Sequence, residues 1–146
     1  MSSIVLAHDL TERSAQVTGA AVELAIALKL PLIAVYVISD EDLDRERTSR
    51  PADSAFTDHV VRELRGQLVT QVEAAMPFSR AVPLTTEVLM GEAHEQLPKF
   101  LQSRRPAYAF IGVRSRSRVG KLLFGSVLQA VLLHSKCRVV SVPVNA

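Results

Sequence analysis

Residues 109–127 read AFIGVRSRSRVGKLLFGSV. An apolar run, Tyr108 to Gly112, predicts a buried strand. Gly112 predicts a turn, a basic loop follows, and helix is expected to resume at Gly125-Ser126. This layout can hold a phosphate, because the first N–H groups of a helix have no partner within it and point outward. Arg114, Arg116, Arg118 and Lys121 add positive charge to the same loop. Gly112 would let the backbone approach an anion closely, and the Ser126 hydroxyl would add a donor. Each also has a plainer role: Gly112 as a turn, Ser126 as a helix cap.

Upstream, the chain alternates short apolar runs with amphipathic ones. Ser3 to His8, Leu32 to Ile38 and Arg138 to Val144 predict buried strands. Leu84 to Leu89 is less apolar and is placed nearer a sheet edge. Ala15 to Leu28 has helical spacing, with Thr11 or Ser14 as its cap, Lys29 in its last turn and Pro31 beyond. Ser54 to Met76 predicts a long amphipathic helix. Ser39 to Asp53, charged and almost without apolar residues, predicts a surface loop. After a turn at Gly91, Ala93, Leu97, Phe100 and Leu101 predict a short helix. Pro98 means that this helix either starts near Gln96 or is kinked. A last helix runs from Ser126 to Ser135, with Val127, Val131 and Leu132 expected inward. The 146 residues fit one domain, and alternating strands and helices imply a parallel sheet covered on both faces.

Composition narrows the function. With 22% charged residues and a formal net charge of only +2, nucleic acid is not an expected partner. No run reaches the roughly 18 apolar residues of a membrane helix, so no membrane partner is expected. The first residues lack a signal-peptide pattern, and a cytoplasmic location is the expectation. One cysteine, Cys137, leaves no internal disulfide or cysteine cluster. The basic neighbours Lys136 and Arg138 would activate its thiol; a small buried thiol is the simpler expectation. His8, His59, His94 and His134 have no metal-ligand spacing. His8, at a strand end, is expected to be structural. The phosphate-loop, dinucleotide and nucleophile-elbow motifs are absent. The residues suggest no catalytic constellation, and at most slow nucleotide hydrolysis is expected.

The spacing Gly112-x2-Ser115-x9-Gly125-Ser126 resembles the G-x2-G-x9-G-[S/T] signature of the universal stress protein family. SIVLAHD at the start, AVYVI in the second strand, VLMGEA after the third and the segment from Ala109 to Val144 share the resemblance. It implies an open five-stranded parallel α/β sheet of order 3-2-1-4-5, Rossmann-like, of the adenine nucleotide α-hydrolase type. The turns after strands one and four would then flank the point where the winding reverses, where such sheets bind ligands. A nucleotide site at Ala7, Asp9, Val37, Ile111, Gly112, Arg114, Ser115, Arg116, Gly125, Ser126 and Val127 is implied, for ATP or AMP, with magnesium accompanying ATP. Asp9 would contact adenine or ribose, or else cap the next helix. The arginines would neutralise phosphates, or else form a solvated surface. Ser115 stands where the family pattern has its second glycine. The alternative is therefore a nucleotide-independent dimeric adaptor with a degenerate site, meeting a protein partner. The resemblance also implies a stress-response role and a homodimer through strand five, Arg138 to Val144, whose apolar edge pairing would cover.

Overall fold

The computed structural model describes residues 2–48, 56–114 and 125–144. Ten elements follow in chain order: β1 (Ile4–Ala7), α1 (Ser14–Leu28), β2 (Leu32–Ile38), α2 (Asp40–Thr48), α3 (Phe56–Glu73), β3 (Leu84–Met90), α4 (Ala93–Arg104), β4 (Tyr108–Arg114), α5 (Ser126–His134) and β5 (Val139–Val144). The strands form one sheet of order β3-β2-β1-β4-β5, with every pair parallel. Ile4 lies between Leu32 of β2 and Tyr108 of β4, which makes β1 the central strand.

Side chains alternate across a strand, so each apolar strand serves two cores. Ile4 and Leu6 face α1 and α3, where they join Val17, Ala21, Ala25, Val60, Leu68 and Val72. Val5 and Ala7 face α4 and α5, with Leu97, Leu101, Leu128 and Val131. The sheet is therefore covered on both faces, as the alternation of elements predicts.

Local chemistry explains the ends of the elements. α1 stops at Lys29, which turns left-handed (φ 55) and donates its N–H to the Ala25 and Ile26 carbonyls. Gly91 takes φ +123 after β3 and donates to the Ile38 carbonyl at 2.9 Å. β3 lies at the sheet edge, as its weaker apolar pattern predicts.

Four expectations need correction. Residues 40–48 of the expected loop form helix α2. Ser39 caps it by accepting the Asp42 amide at 3.1 Å, and Arg45 pairs with Glu41 and Asp42 on its surface. α4 begins at Ala93, ahead of Gln96, with Pro98 buried inside it. On α5, Leu128 faces inward while Leu132 is 58% exposed. Finally, β4 continues past Gly112 to Arg114, so Gly112 is a strand residue opposite Val142 and makes no turn.

Candidate functional site

At the carboxyl ends of β1, β2 and β4 the sheet opens into a cavity of about 220 Å³. Its walls come from both sides of β1, the central strand. Ala7, Val35, Val37, Ile111, Leu97 and Val127 make an apolar side, and His8, Asp9, Arg13, Ser14 and Tyr36 make a polar one. The volume is below the ~300–1,000 Å³ that buries a whole drug-sized ligand, so a larger ligand would extend beyond these walls.

Gly112 keeps the cavity open. A Cβ built there would lie 3.1 Å from Val144 Cγ1 and 3.6 Å from Val17 Cγ1. A side chain at 112 would therefore press on Val144 and touch Val17, both of which line the cavity. The glycine serves packing space; its φ is not in the left-handed region.

Asp9 organises the polar side. Its Oδ1 accepts the Thr11 amide at 2.9 Å, the Thr11 hydroxyl at 2.6 Å and the Ser14 hydroxyl at 2.6 Å. The Asp9 amide in turn donates to Ser14 Oγ at 3.0 Å. Burial pushes the Asp9 carboxyl up, but the bonds from Ser14 and Thr11 outweigh it and hold the carboxyl below its ordinary value. Oδ2 accepts no hydrogen bond among the described residues and is left for a hydroxyl or amine donor. Asp9 thus stabilises the turn before α1. The α1 N-cap is Arg13, which makes no side-chain capping bond, so neither Thr11, Ser14 nor Asp9 caps the helix.

His8 is 5% exposed, and its Nδ1 accepts the Leu10 amide at 2.9 Å. It is held in place through this one nitrogen, and it also lines the cavity. Burial lowers its pKa, with Asp9 opposing. Tyr36 is half-buried in the same wall. Burial raises its phenol pKa, and the carboxylates of Asp42, Asp9 and Glu46 add to that.

The structure brings Ala7, Asp9, Val37, Ile111, Gly112 and Val127 to one cavity. Gly125 and Ser126 stand at the head of α5, both exposed and outside the cavity lining. Gly125 is the extended N-cap residue (ψ 160), and no side chain caps the helix, so the Ser126 hydroxyl is not a cap. The Arg114 backbone ends β4. Its side chain, and all of Ser115, Arg116, Arg118 and Lys121, lie outside the described residues. Residues read as core or as a cap, Tyr36, Leu97 and Ser14 among them, also line the cavity. The period-two pattern of β2 could have marked Tyr36, which alternates with Val35 and Val37.

Other side chains stay apart from this cavity. Burial raises the Cys137 thiol pKa against the pull of Arg138, so the basic neighbours do not activate it. Among the described residues no group of three or more His, Cys, Asp or Glu side chains is placed to hold a metal ion. Among them, too, no helix is long and apolar enough to cross a membrane.

Fold and site together define a doubly wound α/β protein with a crevice at the strand-order reversal. The model of the universal stress protein family matches residues 1–143. The chain belongs to the universal stress protein family. Solved structures agree on the fold. A universal stress protein from Archaeoglobus fulgidus superposes with a TM-score of 0.69 at 22% identity, over 97% of this chain and 98% of that one. A universal stress protein in complex with cAMP gives 0.65 at 19%, over 97% and 96%. An A. fulgidus universal stress protein in complex with dAMP gives 0.63 at 18%, over 97% of both chains. No curated protein matches the chain.

Proposed function

We propose that this universal stress protein binds an adenine nucleotide in the crevice at the ends of β1, β2 and β4, and serves as a nucleotide-responsive regulator. One observation carries the reading: six residues assigned to nucleotide contact from separate stretches of the chain line a single cavity. The apolar side formed by Ala7, Val37, Ile111 and Val127 suits a flat heteroaromatic ring. The open Asp9 Oδ2 suits a ribose hydroxyl, since an ionised carboxylate is acceptor-only. The structural relatives in complex with cAMP and dAMP support the same ligand class.

The phosphates are assigned to the segment from Arg114 to Ser126, with the backbone N–H groups at the head of α5 as donors. ATP, with or without magnesium, and AMP are the ligands to test. Calorimetric titration of the folded chain with each is the direct experiment. Saturable heat that falls at least about tenfold in affinity on Asp9→Ala, a loss of about 1.4 kcal/mol, supports the reading. No heat at millimolar nucleotide refutes it.

A second reading has its own observation. Gly125 and Ser126 lie outside the cavity lining, and Ser115 replaces a family glycine. On this reading the chain is a homodimeric adaptor that needs no nucleotide, its copies pairing through β5. Ser115→Gly separates the two: it creates ATP binding in an adaptor and changes affinity only modestly in a nucleotide binder.

A further inference from the structure

His8 does more than fill the wall. A ring nitrogen that accepts a hydrogen bond carries no proton, so the Leu10 amide on Nδ1 places the hydrogen of neutral His8 on Nε2. Nε2 has no protein partner among the described residues.

The bond sits at the centre of a strained turn. Leu10 adopts φ 60, a left-handed conformation that is strained for a residue with a side chain. His8 holds its amide and Gln71 of α3 donates to its carbonyl at 3.4 Å. On either side, Asp9 and Ser14 bond to each other twice. Protonation of His8 puts a hydrogen on Nδ1, facing the Leu10 N–H. Donor then meets donor, and the strained turn loses the bond that fixes it.

We propose that His8 is a positioning residue for Asp9: neutral His8 locks the turn from 8 to 14 that presents the Asp9 carboxylate to the cavity, and acid unlocks it and weakens binding there. Only the identity of the ligand rests on the adenine-nucleotide reading; the lock does not. Among the described residues the charged and titratable groups around it are few. Asp9 adjoins His8 in the chain, Arg13 of α1 and Tyr36 of β2 share the wall, and the described lining residues of α4, β4 and β5 are uncharged. Asp42 and Glu46 of α2 act on Tyr36, and α3 contributes the uncharged Gln71. Burial disfavours the imidazolium and Asp9 favours it, with burial the larger effect. The lock therefore still holds at the ordinary value of 6.5 and opens only at a pH below it.

The test follows His8 and the turn amides of the full chain by NMR from about pH 8 to about pH 5. An Nε2–H tautomer at high pH is expected, with the Leu10, Asp9 and Ser14 amides shifting in step with the His8 ring as it protonates. Adenosine, which has no phosphate to titrate, is the binding probe. Its affinity falls at least about fivefold on acidification and stays flat in His8→Asn, whose Oδ1 keeps an acceptor near Nδ1 and does not titrate. By reciprocity, adenosine lowers the His8 pKa further. Leu10→Gly, which relieves the strained φ, is the second variant and shrinks the response of the turn to acid. An Nδ1–H tautomer, or turn amides that ignore the His8 titration, would overturn the proposal. So would equal pH dependence in His8→Asn. A turn that opens with His8 in a chain that binds no adenosine keeps the lock and removes the nucleotide reading.

Discussion

Oδ1 of Asp9 takes three hydrogen bonds within the turn before α1, so the residue serves stability and, on the proposed function, binding as well. Asp9→Ala leaves two hydroxyls and one amide without their acceptor. It is expected to lower unfolding free energy by about 1–2 kcal/mol in urea. Gly112→Val sets a branched side chain where even a Cβ comes within 3.1 Å of Val144. It is expected to cost about 1–3 kcal/mol through overpacking and to abolish nucleotide binding in calorimetry. Acid should act in two stages. His8 is depressed in the fold, so the unfolded chain takes that proton first, and stability falls as pH drops below 6.5. Asp9, also depressed, adds a second loss below 3.8. Urea midpoints across that range measure both, and His8→Asn should remove the upper stage alone. The sequence shows Asp9 and Gly112 as important, yet misplaces what Gly112 does. A glycine after an apolar run predicts a turn. Here it stays in the strand and makes room between β5 and α1, which only tertiary packing reveals.

The strands were legible because buried parallel strands are continuous apolar runs, and LIAVYVI is one. α2 was not, because apolar periodicity cannot find a helix whose nine residues include one apolar residue, Leu43. Capping by Ser39 and that single buried leucine, packed into the core, hold it instead. α5 is apolar on most sides, SVLQAVLLH, so spacing could not tell Leu128 from Leu132. Burial now separates them. Leu128→Ala is expected to cost about 2–5 kcal/mol, and Leu132→Ala within about 0.5 kcal/mol, by chemical denaturation. β5 lies at the sheet edge, with Ser141 and Pro143 exposed. If copies pair there, as proposed, Val140→Asp or Val142→Asp yields monomer on a sizing column. An unchanged dimer would put the contact elsewhere.

For the whole molecule, strand order was not in the alternation pattern; it came from the family resemblance, and the structure has that order. Once β1 sits between β2 and β4, residues more than 100 positions apart must meet. Ala7 and Asp9 reach Ile111, Gly112 and Val127 at one end of the sheet. The phosphate half of the proposed site falls on residues 114–126, most of which lie outside the described residues. The nucleotide reading therefore stands on the ring-and-ribose half. The most direct test is an amide NMR titration of the full chain with AMP. The account predicts saturable shifts concentrated at Ala7, Asp9, Val37, Gly112 and Val127, with the Cys137 region silent. Unchanged spectra at millimolar AMP, or shifts gathered away from this crevice, would contradict it.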